Sequence, residues 1–362
     1  MPLTSASPRS ITTSRALSVA LGQSGGVSAP GVSGPIAEGE TVTISWDGVN
    51  GFGAGEHNLQ VYDDMRNGVA GQFAGENSAV IGTYINPGSG FGGEYSDLYS
   101  HSKGMSLKQF DGAVGAMHGS WLDIVASQQV LMSYWIFVPS GFGLPGMDND
   151  AYTPGGSNYK LAWIGADQGS MGTEGKPDIV LPTNNVTDKL TLGGNESSMS
   201  SIDNYTQLSQ VHTYGEWLWC CVLFDGVNNQ ITVKHLSKSK GLKEFNFSIP
   251  DIWGTTLPQE IAHVRFMGWL RTSASANCQL YYDDYYTATG SAAGGLVLIG
   301  DAPVFANCTD FAVQKITSRS NDTILATVQN GPFASLSGKY LFVLGESMNP
   351  VTYNMAESRE IV

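Results

Sequence analysis

The chain has 362 residues, 41% of them hydrophobic and only 14% charged, enough apolar material for two or three packed cores and too much for a disordered polymer. Its formal net charge of -14 repels phosphate backbones and argues against nucleic acid as a partner. The longest apolar run, eight residues from Trp217 to Phe224, falls far short of the ~20 that a membrane-spanning helix needs, so no membrane partner is expected.

With 45 glycines and 10% aromatic residues, the composition favours short strands and turns over long helices, and the expected class is all-β. Residues 1–30 hold no acidic residue and ten Ser or Thr, a composition that cannot order itself and reads as an extended N-terminal arm able to lie on a neighbouring subunit. No continuous apolar region precedes a small-residue cleavage site within residues 1–20, so no export signal is expected there. The six Asn-x-Ser/Thr sequons, at Asn185, Asn195, Asn204, Asn246, Asn307 and Asn321, are accordingly read as turn chemistry. Cys220, Cys221, Cys278 and Cys308 form neither a disulfide framework nor a zinc spacing and are read as reduced. In a strand, adjacent Cys220 and Cys221 must point to opposite faces.

From Pro35 the pattern changes. Gly39-Glu40-Thr41-Val42-Thr43-Ile44-Ser45 alternates polar and apolar, then Gly51-Phe52-Gly53 turns into Leu59-Gln60-Val61-Tyr62. This stretch resembles the first half of an IPT/TIG-type immunoglobulin-like (Ig-like) domain, although Trp46 or Asp47 stands where that pattern has its second glycine. Comparable strands return near the C-terminus, at Thr323–Val328 and Gly338–Val343. Either residues 31–62 and 300–350 are split halves of one Ig-like domain with an insertion between them, or they are two unrelated β segments. Residues 351–362 form a C-terminal tail.

Within residues 63–299, strand signals recur at Leu122–Val125, Val130–Val138, Tyr159–Ile164, Gln207–His212, Glu216–Phe224, Gln230–His235, Val264–Leu270 and Gln279–Thr287, a number and alternation that suggest a sandwich. Gly215-Glu216-Trp217, the Asp225-Gly226 turn and Tyr281-Tyr282-Asp283-Asp284-Tyr285-Tyr286, a Tyr-x-Asp-Asp-x-Tyr strand, follow the order of a concanavalin-A-like (laminin-G-like) jelly roll, which the stretch resembles. That resemblance implies a fold hosting lectins, lyases, hydrolases and inert modules alike.

The chemistry-bearing motifs of such enzymes are sparse. Glycoside hydrolases of this fold place carboxylates as Glu-x-Asp-x-x-Glu on one strand, which is missing here, and Glu94 and Asp97 read as solvated loop residues. Gln210-Val211-His212 fits the Gln-x-His strand of alginate-lyase-like enzymes, but the matching Arg-rich and Tyr-x-Lys strands are not found. Gly22-Gln23-Ser24-Gly25-Gly26 and Gly88–Gly93 match a nucleophile elbow and a dinucleotide loop by letter only, lacking the strand-to-helix context.

Two aspartate pairs, Asp63-Asp64 and Asp283-Asp284, open and close the expected jelly roll. In proteins of similar fold a structural calcium bridges first and last strands, with oxygens at ~2.3–2.6 Å. The other reading gives each pair one turn-capping and one solvated carboxylate. Asp148-Asn149-Asp150 is a further acidic loop, without the glycine and terminal Glu of an EF-hand. For sugars, whose C–H faces stack on aromatic rings, the candidates are Trp163, Tyr159, Tyr152 and Trp121, all of which a sandwich core could equally consume.

An arm, an Ig-like base and a jelly-roll head together resemble the parts of bacteriophage virion surface proteins: capsid decoration, head fibre or tail accessory. The expectation is a non-enzymatic homo-oligomer on the virion, contacting capsid or tail proteins and host-surface glycan. The alternative is a polysaccharide lyase or glycoside hydrolase on the same fold.

Overall fold

A computed structural model describes residues 31–46, 52, 55–74, 79–85, 93–108, 120–140, 158–165, 178–184, 189–194, 202–249, 260–266, 279–351 and 359–361. The arm, Gly22–Gly26, Tyr152 and Asp148–Asp150 lie outside the described residues. In chain order the strands are β1 (Gly31–Ser33), β2 (Thr41–Ser45), β3 (Asn58–Asp63), β4 (Tyr84–Ile85), β5 (Glu94–Ser96), β6 (Ser106–Lys108), β7 (Ser120–Ser127) and β8 (Gln129–Phe137). They continue with β9 (Asn158–Gly165), β10 (Asp178–Asn184), β11 (Lys189–Gly194), β12 (Ile202–Gln207), the single helical turn α1 (Leu208–Val211), β13 (Trp217–Asp225), β14 (Gln230–Ser237), β15 (Gly241–Ser248) and β16 (Ile261–Phe266). The last are β17 (Tyr281–Thr289), β18 (Val297–Gly300), β19 (Phe311–Val313), β20 (Lys315–Arg319), β21 (Thr323–Thr327), β22 (Tyr340–Val343) and β23 (Arg359–Glu360).

These strands build four antiparallel sheets stacked on three cores. A seven-stranded sheet, in the order β12-β11-β10-β9-β16-β7-β4, faces an eight-stranded sheet, β15-β14-β13-β8-β17-β6-β5, with β3 also paired to β17. This pair is the all-β jelly-roll sandwich. Behind the eight-stranded sheet lies β19-β18-β22-β23, and behind that β1-β2-β21-β20.

The stacking follows from side-chain alternation. On β13, Leu218, Cys220, Val222 and Phe224 enter the core between the two large sheets, whereas Trp219, Cys221 and Leu223 enter the second core with Leu298, Phe311 and Phe342. Cys220 and Cys221 thus occupy different cores, as strand geometry requires. On β18 the alternation repeats: Leu298 points to the second core, and Val297 and Ile299 to a third shared with Val42, Ile44, Ile324 and Ala326. A strand packed on both faces has no polar side to show, which is why β13 reads as an unbroken apolar run and β8 as one interrupted only by Ser133. β7 keeps the one-sided pattern, with Leu122 and Ile124 buried and Asp123 and Val125 exposed.

β2 pairs with β21 from Thr41↔Thr327 to Ser45↔Thr323, so residues near both ends of the chain share the outermost small sheet. Two elements differ from the sequence reading. Leu59–Tyr62, assigned to the small module, pairs with β17 and belongs to the larger sandwich. Gln207–His212, expected as a strand, ends in α1, because buried Leu208 and Val211 stand three apart, a helical rather than a strand spacing.

Phe311 is fully buried, stacks on Phe305 with centroids 5.0 Å apart and meets Trp219 edge-on at 5.4 Å, so it ties the small module to the back of the sandwich. Phe311→Ala is expected to lower the unfolding free energy by about 3–5 kcal/mol in denaturant titration. A loss under about 1 kcal/mol would mean that the second core does not carry the junction.

Candidate functional site

The four aspartates come together as far as the strands allow. Asp63 and Tyr285 are register partners on β3 and β17, and Asp283 and Asp284 sit where β17 changes partner from β6 to β3. The register of β17 against β8 breaks there, and Asp284 takes a left-handed φ of 51°.

Their carboxylates serve protein donors. Asp63 accepts from the Met65 amide at 2.8 Å and the Tyr84 hydroxyl at 2.6 Å. Asp64 holds Arg66, whose Nε lies 2.7 Å from Oδ1, and Arg66 also donates to Gln329 of the small module at 2.7 Å. Asp283 accepts from the His101 amide at 2.7 Å, and Asp284 from the Ser102 hydroxyl at 2.7 Å. Among the described residues no three His, Cys, Asp or Glu side chains are grouped to hold a metal ion. Asp283 and Asp284 thus share His101 and Ser102 as donors, whereas Asp63 and Asp64 are held by Met65, Tyr84 and Arg66.

His101 is the hub of this region. Its ring stacks on Trp135 at 3.9 Å, Nδ1 donates to Asp284 at 2.7 Å, and Nε2 donates to Asp310, at the start of β19, at 2.8 Å. Burial opposes charge on the ring, but Asp310 and Asp284 outweigh it and raise its pKa from 6.5 to about 10. An imidazolium thus bridges the sandwich and the small module. Burial also lifts the Asp63 carboxyl from 3.8 to about 7, against the hydrogen bonds from Tyr84 and Met65.

A second constellation occupies the seven-stranded sheet. Arg265 on β16 is in register with Trp121 on β7 and with Trp163 on β9. Leu122, Val264, Phe266, Ala162 and Ile164 belong to the first core, so alternation turns Trp121, Arg265 and Trp163 to the sheet's other face. The guanidinium carbon lies 3.4 Å from the Trp121 ring centroid and 4.2 Å from that of Trp163, a planar cation held between two indoles. His263, one place along the same face, stacks with Trp121 at 6.4 Å and is in register with Asp123.

The sequence left Trp121 and Trp163 between two readings, sugar-stacking rings or sandwich core. They are 4% and 1% exposed, and each has Arg265 against one ring face. The Trp121 indole N–H finds no acceptor among the described residues. Tyr159 lies on β9, and Tyr152 falls outside the described residues. Arg265 and His263 escaped the sequence reading, although His-Val-Arg in a strand puts both side chains on one face. His212, the candidate base, is spent structurally: it ends α1, and its Nε2 donates to the Glu216 carbonyl at 2.7 Å. Glu94 pairs with Lys108 at 3.2 Å. A cavity of ≈ 410 Å³ at the seam between sandwich and small module is lined by Phe52, Leu223, Asp225, Glu346 and Val351 among others, with Asp225 bonded to Gln129 at 3.0 Å.

No protein-family model matches the chain, and no curated protein does. Among solved structures it is similar to the marine PL-14 alginate lyase from Aplysia kurodai, with 11% identity, 54% of this chain and 86% of that one covered, and a TM-score of 0.35. It is similar to peanut lectin at 10% identity, 57% and 94% coverage and TM-score 0.34. The binding domain of botulinum neurotoxin serotype D matches at 11% identity, 80% and 73% coverage and TM-score 0.39. The jelly-roll class rests on the two facing antiparallel sheets themselves.

Two pH effects follow from the shifted groups. The stabilisation from His101, raised from 6.5 to about 10, is complete below pH 6.5 and disappears as pH climbs through about 10. Stability measured against pH should therefore fall on the alkaline side in the wild type, and less in His101→Gln. Asp63, raised from 3.8 to about 7, favours the fold below pH 3.8, an advantage lost as pH passes about 7. Asp63→Asn, whose amide oxygen can accept from the Met65 N–H while its amide N–H donates to the Tyr84 oxygen, should flatten that acid-to-neutral slope in thermal unfolding; an unchanged slope would mean that Asp63 ionises normally.

Proposed function

We propose that the protein is a non-catalytic, carbohydrate-binding surface protein of a bacteriophage virion, in which the jelly roll engages host glycan and an Ig-like base and the arm engage capsid or tail proteins. The observation that carries the binding reading is the Trp121–Arg265–Trp163 row. Two indoles flank the guanidinium of Arg265, which is itself only 1% exposed, so a ligand would have to meet the rim of this preset row, where a planar cation beside aromatic rings matches a sugar carboxylate and its C–H face. Support for the virion reading comes from layout. The sheet containing β1 and β2, which continues from the Ser/Thr-rich arm, lies at one end of the four-sheet stack, and the tryptophan face belongs to the sheet at the other.

The test is a set of acidic and neutral oligosaccharides titrated against the full chain by calorimetry. Arg265→Lys keeps the charge and removes the fork, and should weaken binding of a carboxylated oligosaccharide at least about tenfold, or ~1.4 kcal/mol, measured at a temperature well below the variant's own unfolding midpoint. Absence of binding to every sugar would remove the reading. For the location, imaging of intact particles should show the tryptophan face outward, and the chain lacking residues 1–30 should bind particles more weakly.

One observation favours a second reading. His263 and Arg265 stand on one strand and one face, the placement a polyuronate lyase needs for a base that takes the proton beside the carboxylate and a cation that steadies the charge while the glycosidic oxygen leaves. Unsaturated-product absorbance from a polyuronate, abolished by His263→Ala, would establish that reading, and a flat trace would dismiss it.

A further inference from the structure

We infer that the hairpin joining β14 to β15 is a separate docking edge for anionic polysaccharide. The inference extends the glycan reading above to a second site and a ligand class. Lys238, Lys240 and Lys243 fall within six residues of a chain that has 18 basic residues and a net charge of -14. All three are exposed, and none makes an ion pair among the described residues.

The neighbouring carboxylates are already engaged. Glu244 pairs with Lys234 at 2.7 Å. Glu216 accepts from the Thr213 amide and the Ser239 amide, each at 3.1 Å, and from the Ser239 hydroxyl. The Thr213 and Ser239 hydroxyls are 2.6 Å apart. These bonds pin the turn, and Gly241, with φ +67° and open space around it, carries the chain into β15. The lysines therefore project from a fixed platform on which Glu216, bonded to neutral donors, keeps its charge, and the three cations outnumber it. A cluster of one sign, kept unpaired on a chain of the opposite sign, concentrates a polyanion that the rest of the surface repels.

The experiment measures binding of polygalacturonate and dextran sulfate to the full chain, with neutral dextran as control. Binding to both anionic polymers is expected, weakening about tenfold or more as ionic strength rises from about 0.01 to 0.15 M and the Debye length shrinks from about 30 to 8 Å. The triple variant Lys238→Ser, Lys240→Ser, Lys243→Ser should lose this salt-sensitive binding at an unchanged unfolding midpoint. Arg265→Lys should retain the salt-sensitive binding of dextran sulfate, which carries no carboxylate, so failure at the tryptophan row, read with carboxylated oligosaccharides, and failure here are distinguished. Equal binding by the triple variant, or equal binding of neutral dextran, overturns the proposal. So does sedimentation in which the wild type self-associates and the triple variant does not, with polymer binding unchanged, because the lysines would then serve a contact between copies.

Discussion

Burial of the eight-stranded sheet on both faces is the constraint from which the rest of this molecule follows. Once β8, β13 and β17 have a core on either side, most side chains along them are apolar, and polar ones such as Ser133, Asp283 and Asp284 are held by internal partners. Trp219 shows the rule, donating its indole N–H to the Ser133 hydroxyl at 2.8 Å across the strand pair. His101 shows the same rule for a charge, since it enters the junction only with a carboxylate at each ring nitrogen. The small module is thus a lid without which the back of the sandwich would present Trp135, Trp219 and Leu131 to water.

The same constraint explains which elements were legible in the sequence. β8 and β13 were readable almost to their ends, because double burial writes apolar residues at successive positions of both faces, with Ser133 the one polar residue inside β8. β10 and β11 were not: Pro182 interrupts one and Gly193-Gly194 closes the other, and both residue types mute a strand signal while tolerating bulged or edge-like pairing. The register of β10 on β9 does shift between Val180 and Pro182. Adjacency of the first and last sandwich strands was anticipated from the two aspartate pairs, yet the donors that occupy those carboxylates come from Arg66, Tyr84 and the 101–102 loop, which no local pattern tied to them.

The tryptophan row was half visible. Trp121 and Trp163 stood out as large aromatics in strands, but their common neighbour lies about 100 residues beyond Trp163, and only cross-strand register brings Arg265 between them. Sequence spacing could suggest ring faces; it could not say that a guanidinium would fill the gap between two of them. The arrangement converts two hydrophobic rings into a clamp for a polar group, so the face combines apolar area with a fixed direction for hydrogen bonding.

The union of β2 with β21 also has a temporal side. Ser45 and its register partner Thr323 are separated by 278 positions (323 minus 45), so on the ribosome the first strand is born long before its mate. At roughly 5–20 residues per second that interval is about 14–56 s, during which the early strand offers a bare edge to any other nascent chain. The jelly roll can close in the meantime, and the sheet between it and the outermost one waits longer still, because it needs β22 and β23. Polar Thr41, Thr43 and Ser45, alternating with Val42 and Ile44, keep that waiting edge from being a wholly greasy one.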